Sequence, residues 1–421
     1  MKHFLSIITS CILLTACMRN PVTGKQEIAL VPSSMEIHLG SSTFVSMQQM
    51  EGGPYLVQPE ITDYVKRIGM KLAAVSDRPD LPYEFVVLNN STPNAWTLPG
   101  GKIAVNRGLL TELASEAELA AVLSHEIVHA AARHGAQGLE RGLLLQTSLI
   151  GLGAVVSDHQ YGDLIVGGAS IGAGLVHLKY SRNAEFEADH YGMKYMAKAG
   201  YDLQSAVSLQ EMFLRLAENK KSSWLEGLFA THPPSQERVE ANRATAEEFP
   251  EGGFIGREEY QLMMQPLRSS QAAYAHLDEG YQALEKGDIE AALVSAKAGM
   301  KAIPQESQFY GLLGKAYLRQ GDSQAALLAL NDAIQRNGYF FDFYLQRGLA
   351  ENNIGDCTAA KNDLEQSLTL LPTAEAHYTL GQLALKLGNR EEAFEHFQKA
   401  SSADTDIGKK AKEELEKLEI I

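Results

Sequence analysis

The stretch His125-Glu126-Ile127-Val128-His129 decides how this chain of 421 residues is interpreted. On an α-helix, side chains at positions i and i+4 project from one face, so His125 and His129 can reach a single metal ion. Imidazole nitrogens bind zinc at about 2.0–2.1 Å, and Glu126 is placed to take a proton from a water that the ion activates. The pattern therefore predicts a zinc site on a helix.

The sequence around this motif has the pattern of a buried helix. Ser115 followed by Glu118 forms a capping box, which marks a helix start. The apolar residues that follow are spaced so that they form one stripe, namely Leu119, Val122, Leu123 and Ile127. The motif could occur by chance in a chain with 12 histidines, but its place on a predicted helix favours a functional site.

A catalytic zinc needs a third protein ligand. Residues 181–189 read Ser-Arg-Asn-Ala-Glu-Phe-Glu-Ala-Asp, in which Glu185 and Asp189 are again four apart. On a second helix, Glu185 would bind the metal and Asp189 would accept the outer N–H of a ligand histidine. An acidic run seen alone is more often a solvated helix face, and Glu187 is the alternative third ligand.

Together these residues resemble the M48 family of gluzincin metallopeptidases, whose pattern is HExxH followed by ExxxD. The resemblance implies that His125, His129 and Glu185 bind one Zn²⁺ per chain and that Glu126 is the catalytic carboxylate. It also gives Asp189 a catalytic role as proton donor, although an orienting role is the better interpretation. Residues 20–25, 94–101 and 107–110 are similar to the bacterial periplasmic branch of that family.

A further match to this branch lies in residues 231–234, Thr-His-Pro-Pro, with Arg238 downstream. The resemblance implies that His232 can take the open position of the zinc and hold the enzyme latent. Arg238 would position His232 or the substrate. A His-Pro-Pro loop alone would be an ordinary turn.

A strand pair is predicted at residues 85–88 and 102–105, which flank a Pro-Gly-Gly turn. In gluzincins an edge strand of this kind pairs with extended substrate through main-chain hydrogen bonds. The resemblance thus assigns substrate contact to Asn94, Ala95 and Trp96. An ordinary hairpin without a ligand explains the pattern equally well.

The C-terminal part of the chain contains a repeat. Glycines recur at spacings of 34, 34 and 33 residues, and a second glycine follows each of them after seven residues. The first set is Gly280, Gly314, Gly348 and Gly381; the second is Gly287, Gly321, Gly355 and Gly388. This period is typical of four tetratricopeptide repeats stacked into a solenoid, whose concave groove commonly binds protein. A purely structural appendage is the alternative.

The N-terminal sequence predicts the cellular location of the protein. Residues 4–14 are apolar, too few to span a bilayer but suited to a secretory signal. They lead to Leu14-Thr15-Ala16-Cys17, which resembles the bacterial lipobox, so we predict lipidation at Cys17; a plain signal peptide with a chance cysteine is the alternative. Met18, where aspartate would favour the inner membrane, suggests the periplasmic face of the outer membrane.

Charge, cysteine count and apolar stretches bear on the partners, disulfides and membrane attachment of the protein. The formal charge of −15, from 37 basic and 52 acidic residues, argues against nucleic acid as a partner, so membrane attachment should come from the lipid. Once Cys11 has left with the signal and Cys17 is lipidated, only Cys357 remains, and we expect no intramolecular disulfide. We read two apolar stretches, residues 143–156 and 164–178, as helices beside the active site rather than a transmembrane hairpin.

The predicted fold class is mainly α (α+β), a gluzincin-type metallopeptidase domain with a small β-sheet followed by an α-solenoid. We expect a signal peptide at 1–16, the M48 domain at 17–266, the repeats at 267–405 and a capping helix at 406–421, with a linker within 251–270 that is either flexible or docked.

The resemblance extends to the BepA-like proteins, because a tetratricopeptide array follows the peptidase motifs. It implies a periplasmic zinc endopeptidase that degrades unfolded or stalled outer-membrane proteins at the β-barrel assembly machinery and has a chaperone role. The alternative is a non-proteolytic scaffold.

Overall fold

The computed structural model describes residues 17–149, 180–218, 229 and 231–419. The described chain is mainly helical with two small sheets, as the sequence predicts. The predicted signal peptide and residues 150–179, which include most of the two apolar stretches, lie outside the described residues. Within the described part of the chain, no helix is both long enough and apolar enough to cross a membrane.

Two sheets are formed by five strands. Strands β1 (Cys17–Arg19) and β2 (Gln26–Ile28) form an antiparallel pair. The second sheet contains β3 (Glu84–Leu88), β4 (Ala95–Leu98) and β5 (Lys102–Asn106), in the spatial order β3-β5-β4.

The predicted strand pair needs a correction. Strands β3 and β5 do pair, but in parallel, and the Pro-Gly-Gly turn joins β5 to the antiparallel strand β4. The predicted pair left out β4, whose four residues are too few to show an alternating pattern, although the resemblance had assigned an edge-strand role to residues 94–96. Strand β4 lies at the edge of the sheet, which is where the sequence analysis expected an edge strand.

Nine helices are described in the first part of the chain, and the first four of them pack against the larger sheet. They are α1 (Ser33–Met50), α2 (Pro59–Ala73), α3 (Arg107–Glu112), α4 (Glu116–Ala131), α5 (His134–Leu149), α6 (Arg182–Lys198), α7 (Gln204–Glu218), α8 (Gln236–Glu247) and α9 (Arg257–Ser269). Helix α4 lies in the centre, and 14 of its 16 residues are buried.

The remaining helices form the predicted solenoid. They are α10 (Gln271–Glu285), α11 (Ile289–Ala302), α12 (Ser307–Gln320), α13 (Ser323–Arg336), α14 (Phe341–Ile354), α15 (Cys357–Leu370), α16 (Ala374–Lys386), α17 (Arg390–Ala400) and the final helix α18 (Asp406–Glu419). The repeated glycines permit close helix packing, since a Cβ at Gly314 would lie 2.5 Å from Leu330 and one at Gly381 would lie 2.7 Å from Phe397.

The segment interpreted as a linker is largely helical and docked. Tyr260, Met264 and Leu267 of α9 are at most 1% exposed, and their i, i+4, i+7 spacing forms one apolar stripe. Glycines and Pro266 within the segment obscured this stripe in the sequence. Only Ser270 separates α9 from α10, and one apolar core runs from Tyr55 in the first domain to Phe309 in the solenoid.

Candidate metal centre

Helix α4 carries the two motif histidines because its start is fixed by the predicted capping box. The Oγ of Ser115 accepts from the backbone N–H of Glu118 at 3.2 Å, and the Glu118 carboxylate accepts from the N–H of Ala114 at 2.6 Å. One turn apart on this helix, the Nε2 atoms of His125 and His129 lie 3.0 Å from each other.

Helix α6 supplies the acidic residues. Ser181 caps it by accepting from the N–H of Ala184 at 3.2 Å. Glu185 faces α4, where its Oε1 lies 3.4 Å from Nε2 of His129 and its Oε2 lies 3.6 Å from Nε2 of His125. Glu187 points elsewhere, toward Lys25 at 2.7 Å. The structure therefore places Glu185, and not Glu187, beside the two histidines.

Four side chains could hold one metal ion, since His125, His129, Glu185 and His232 have donor atoms within 4.8 Å of one another. The Nδ1 of His232 lies 3.1 Å from Oε1 of Glu185 and 3.3 Å from Nε2 of His125. A tetrahedron with ligands at about 2.0–2.1 Å has edges of roughly 3.3 Å, which matches these separations. Three nitrogens and one carboxylate oxygen are also a donor set suited to zinc.

Asp189 and Arg238 form the layer behind the metal ligands. Oδ1 of Asp189 lies 2.9 Å from Nδ1 of His125, while Nε of Arg238 donates to Oδ2 at 2.7 Å. Arg238 also contacts Oε2 of Glu185 at 2.9 Å and donates to the carbonyl of Pro233 at 3.1 Å. Asp189 thus orients His125, and Arg238 ties both carboxylates to the loop that carries His232.

Charges and hydrogen bonds shift the pKa values of Asp189 and His125 in this group. Burial raises the pKa of Asp189, but the charge and hydrogen bonds of Arg238 outweigh burial, so the net shift is downward. Burial lowers the pKa of His125, but hydrogen bonds with Asp189 and Glu185 reverse the shift and raise it to about 10. An ionised Asp189 is an acceptor, which suits orientation better than proton donation.

Glu126 faces the same group. Its side chain is buried, and Oε2 has no hydrogen-bond partner among the described residues. Burial raises the pKa of Glu126, and the charges of His232 and His125 only partly oppose this rise. A carboxylate with a free oxygen and a raised pKa is suited to taking up a proton.

Comparison with protein families accounts for both parts of the chain. Residues 59–246 match the model of Peptidase family M48. This part of the chain is an M48 peptidase domain. Residues 277–339 and 374–406 match models of the tetratricopeptide repeat.

Relatives of the M48 domain include bacterial and mitochondrial proteins. The putative beta-barrel assembly-enhancing protease of Vibrio cholerae is 29% identical over 203 residues, 47% of this chain and 41% of the relative. The mitochondrial metalloendopeptidase OMA1 of Schizosaccharomyces pombe is 32% identical over 220 residues, 52% of this chain and 63% of the relative. The chain thus spans about half the length of the relatives that it matches.

The solenoid is similar to solved tetratricopeptide structures. The first TPR domain of the human RPAP3 protein is 25% identical, and the match covers 29% of this chain and 96% of that domain with a TM-score of 0.27.

The predicted substrate strand of the M48 domain borders a pocket beside the metal centre. Ala95 lines this pocket together with His125 and Glu126. The volume of the pocket is about 50 Å³. Asn94 and Trp96 are buried on either side of Ala95, and Oδ1 of Asn94 and Nε1 of Trp96 have no partner among the described residues. Met193, Leu209 and Phe213 supply apolar walls.

Sequence analysis missed two side chains of the M48 domain that contact His129. The ring of Tyr180 stacks on the imidazole of His129 with centroids 3.8 Å apart. The Nδ1 of His134 lies 2.8 Å from Nδ1 of His129. His134 could have been noticed as a third histidine, five residues after His129, whereas nothing in the sequence singles out Tyr180.

Proposed function

We propose that the protein is a zinc-dependent endopeptidase. The observation that carries the proposal is the convergence of His125, His129 and Glu185 around one point, with Glu126 buried beside it. The M48 family match supports the same activity, as do the relatives, of which one is named a putative protease and another a metalloendopeptidase. Two histidines and one carboxylate leave a fourth position for chemistry, which is the usual arrangement at a catalytic zinc.

Each residue then has a defined task. Zinc, when bound by His125, His129 and Glu185, would polarise a peptide carbonyl and lower the pKa of water. Glu126 takes the proton of the attacking water and passes it to the leaving amine. Asp189 keeps the Nε2 of His125 aimed at the metal position, because its Oδ1 accepts from the opposite ring nitrogen. Strand β4 offers main-chain groups to an extended peptide.

His232 would hold the enzyme in a latent state. Its Nδ1 is part of the four-ligand group, and a zinc with four protein ligands has no position left for water or substrate. Activation therefore requires the loop of His232 to move, and the contact between Arg238 and the carbonyl of Pro233 restrains that loop.

The location that we propose is the periplasm, with Cys17 lipidated and anchored in the inner leaflet of the outer membrane. The lipobox pattern of residues 14–17 supports this proposal. The proposed substrates are outer-membrane β-barrel proteins that are unfolded or stalled at the barrel assembly machinery. Relatives named beta-barrel assembly-enhancing protease support this class, and unpaired strands of a stalled barrel would suit an edge-strand cleft.

A second function, that of a chaperone or assembly scaffold, is favoured by a groove of about 720 Å³ between the M48 domain and the solenoid. Leu277, Phe341 and Leu345 line it, with Arg319 and Glu375 among its charged groups. Such a groove can bind a polypeptide without cleaving it. We propose that this groove retains clients and that the metal centre degrades those that fail to assemble.

One experiment tests the peptidase proposal. Zinc content and cleavage of an unfolded barrel protein are measured for the wild-type chain and for Glu126→Gln. We expect one zinc per chain in both, with cleavage by the variant lowered about 10²–10⁴-fold. Equal cleavage by the two proteins would contradict the role of Glu126. Zinc binding without any cleavage by the wild-type protein would favour the scaffold function.

A further inference from the structure

The Nδ1 atom of His129, which faces away from the ligand group, has another imidazole as its partner. Its Nε2 faces Nε2 of His125 at 3.0 Å, inside the ligand group, whereas its Nδ1 lies 2.8 Å from Nδ1 of His134. His134 is only 1% exposed and belongs to neither of the two motifs that define the metal site. The two candidate ligands therefore differ in the partner of their Nδ1 atom. For His125 this partner is the carboxylate of Asp189, and for His129 it is the imidazole of His134.

Metal binding by His129 would fix which ring nitrogens of His129 and His134 carry protons. A neutral histidine that binds a metal through Nε2 carries its proton on Nδ1. His129 would therefore donate from Nδ1, and the Nδ1 of His134 would accept. The proton of His134 must then lie on Nε2, which lies 3.5 Å from Oε2 of Glu187 in an electrostatic contact rather than a hydrogen bond. The other oxygen of Glu187 accepts from Nζ of Lys25 at 2.7 Å.

A strained residue brings His134 to this place. Arg133 lies two residues beyond the end of α4 and has φ of +64°, a left-handed conformation that residues other than glycine rarely adopt. Its buried guanidinium donates to Oε1 of Glu36 at 3.0 Å and to the carbonyl of Val31. These contacts hold the chain in the reversal that turns the next residue, His134, back toward His129.

We propose that His134 is a positioning residue for the metal ligand His129, and that Glu187 and Lys25 hold His134 in the tautomer that this role requires. The inference rests on the zinc site of the proposed function. Lys25 lies in the turn between β1 and β2, upstream of the residues that match the family model. The N-terminal hairpin is therefore a part of the metal centre and not only an extension of the domain.

Two substitutions of equal size separate hydrogen bonding from packing. His134→Asn keeps an amide oxygen near the place of Nδ1, whereas His134→Leu has the same bulk without an acceptor. Zinc affinity is measured by competition with a chelator, and ligand geometry by the visible spectrum of the Co²⁺-loaded protein. We expect His134→Leu to weaken zinc binding about 10–100-fold and to alter the spectrum, and His134→Asn to stay close to the wild type.

The outcomes are separable from those of the peptidase test. Wild-type affinity in His134→Leu, or an equal loss in both variants, would overturn the positioning role. If His134→Leu does not fold, Glu187→Gln carries the test, because that side chain is 23% exposed and its replacement should weaken zinc binding without unfolding the chain. A wild-type protein that binds no zinc would instead overturn the proposed function. His276→Asn, on the exposed surface of α10, is the control.

Discussion

The imidazole of His232 lies between the metal ligands and the carboxylate of Glu126. Its Nδ1 is 3.1 Å from Oε1 of Glu185, and its Nε2 is 3.5 Å from Oε1 of Glu126. One ring thus occupies the space between the candidate metal ligands and Glu126. Under the proposed mechanism, the same side chain would block both the metal position and the proton acceptor.

Removal of this ring should activate the enzyme. We expect His232→Ala to cleave an unfolded barrel protein faster than the wild type, because a water can then reach both the metal and Glu126. Zinc affinity should fall at the same time, since one of four ligands is lost. Initial rates and chelator competition measure the two effects. His276→Ala is the control, and a rate that stays at the wild-type value on every substrate would contradict the latent state.

Arg238 should be essential for the stability of the zinc-free protein. It is 3% exposed and contacts the carboxylates of Glu185 and Asp189, so Arg238→Met leaves two buried charges without their partner. We expect the free energy of unfolding to fall by about 3–5 kcal/mol in urea with a chelator present, and by less when zinc is bound.

A matched control for this change is Arg243→Met. Arg243 also pairs with a glutamate, Glu211, but its side chain is 53% exposed, so its loss should cost less than about 1 kcal/mol. If both variants lost the same free energy of unfolding, the buried ion pairs of Arg238 would contribute no more to stability than an exposed pair.

The last repeat should lose stability in acid. Burial, together with the charges of His396 and Lys399, lowers the pKa of His377 to about 4, below its ordinary value of 6.5. Between these values the unfolded state binds more protons than the folded state, so the free energy of unfolding falls as the pH falls from about 6.5 to about 4.

This loss of stability in acid can be measured by hydrogen exchange in α16 and α17 across that pH range. His377→Asn should flatten the dependence, by up to about 3 kcal/mol between its ends. His276→Asn, on the exposed surface, should leave the slope unchanged. A slope that is identical in wild type and His377→Asn would remove His377 as its source.

Glu306 should couple the solenoid to the sheet of the M48 domain. It is 1% exposed and accepts from Nδ2 of Asn89 at 3.0 Å and from the hydroxyl of Tyr274 at 2.7 Å. Glu306→Ala leaves these donors buried, and we expect a loss of about 1–3 kcal/mol in the free energy of unfolding. Glu306→Gln retains an acceptor and should lose less. Equal unfolding curves for both variants and the wild type would contradict the coupling.

Much of the centre could be predicted because its residues lie on regular helices. The i, i+4 spacing of His125 with His129 and of Glu185 with Asp189 fixes which side chains share a face before any tertiary structure is known. The repeat was equally accessible, since its period of 33 or 34 residues is visible without knowledge of packing.

The rest depends on contacts between distant segments. Arg133 gives no local sign of a left-handed conformation, because its φ is stabilised by Glu36 and Val31, about a hundred positions away in the chain. The role of His134 follows from that reversal and was not visible in the sequence. The antiparallel pairing of β4 with β5 was not predicted for a different reason, since β4 is short and wholly buried and so shows no alternation.

The apolar core that runs from Tyr55 to Phe309 has a consequence for biosynthesis. Chains generally fold one domain at a time as they emerge, starting from the N-terminus. Here the continuous core is complete only when α13 has been translated, because Phe309, Leu312 and Ala329 belong to it. The order of emergence therefore leaves the core that the M48 domain shares with the solenoid unfinished until the first two repeats have been translated.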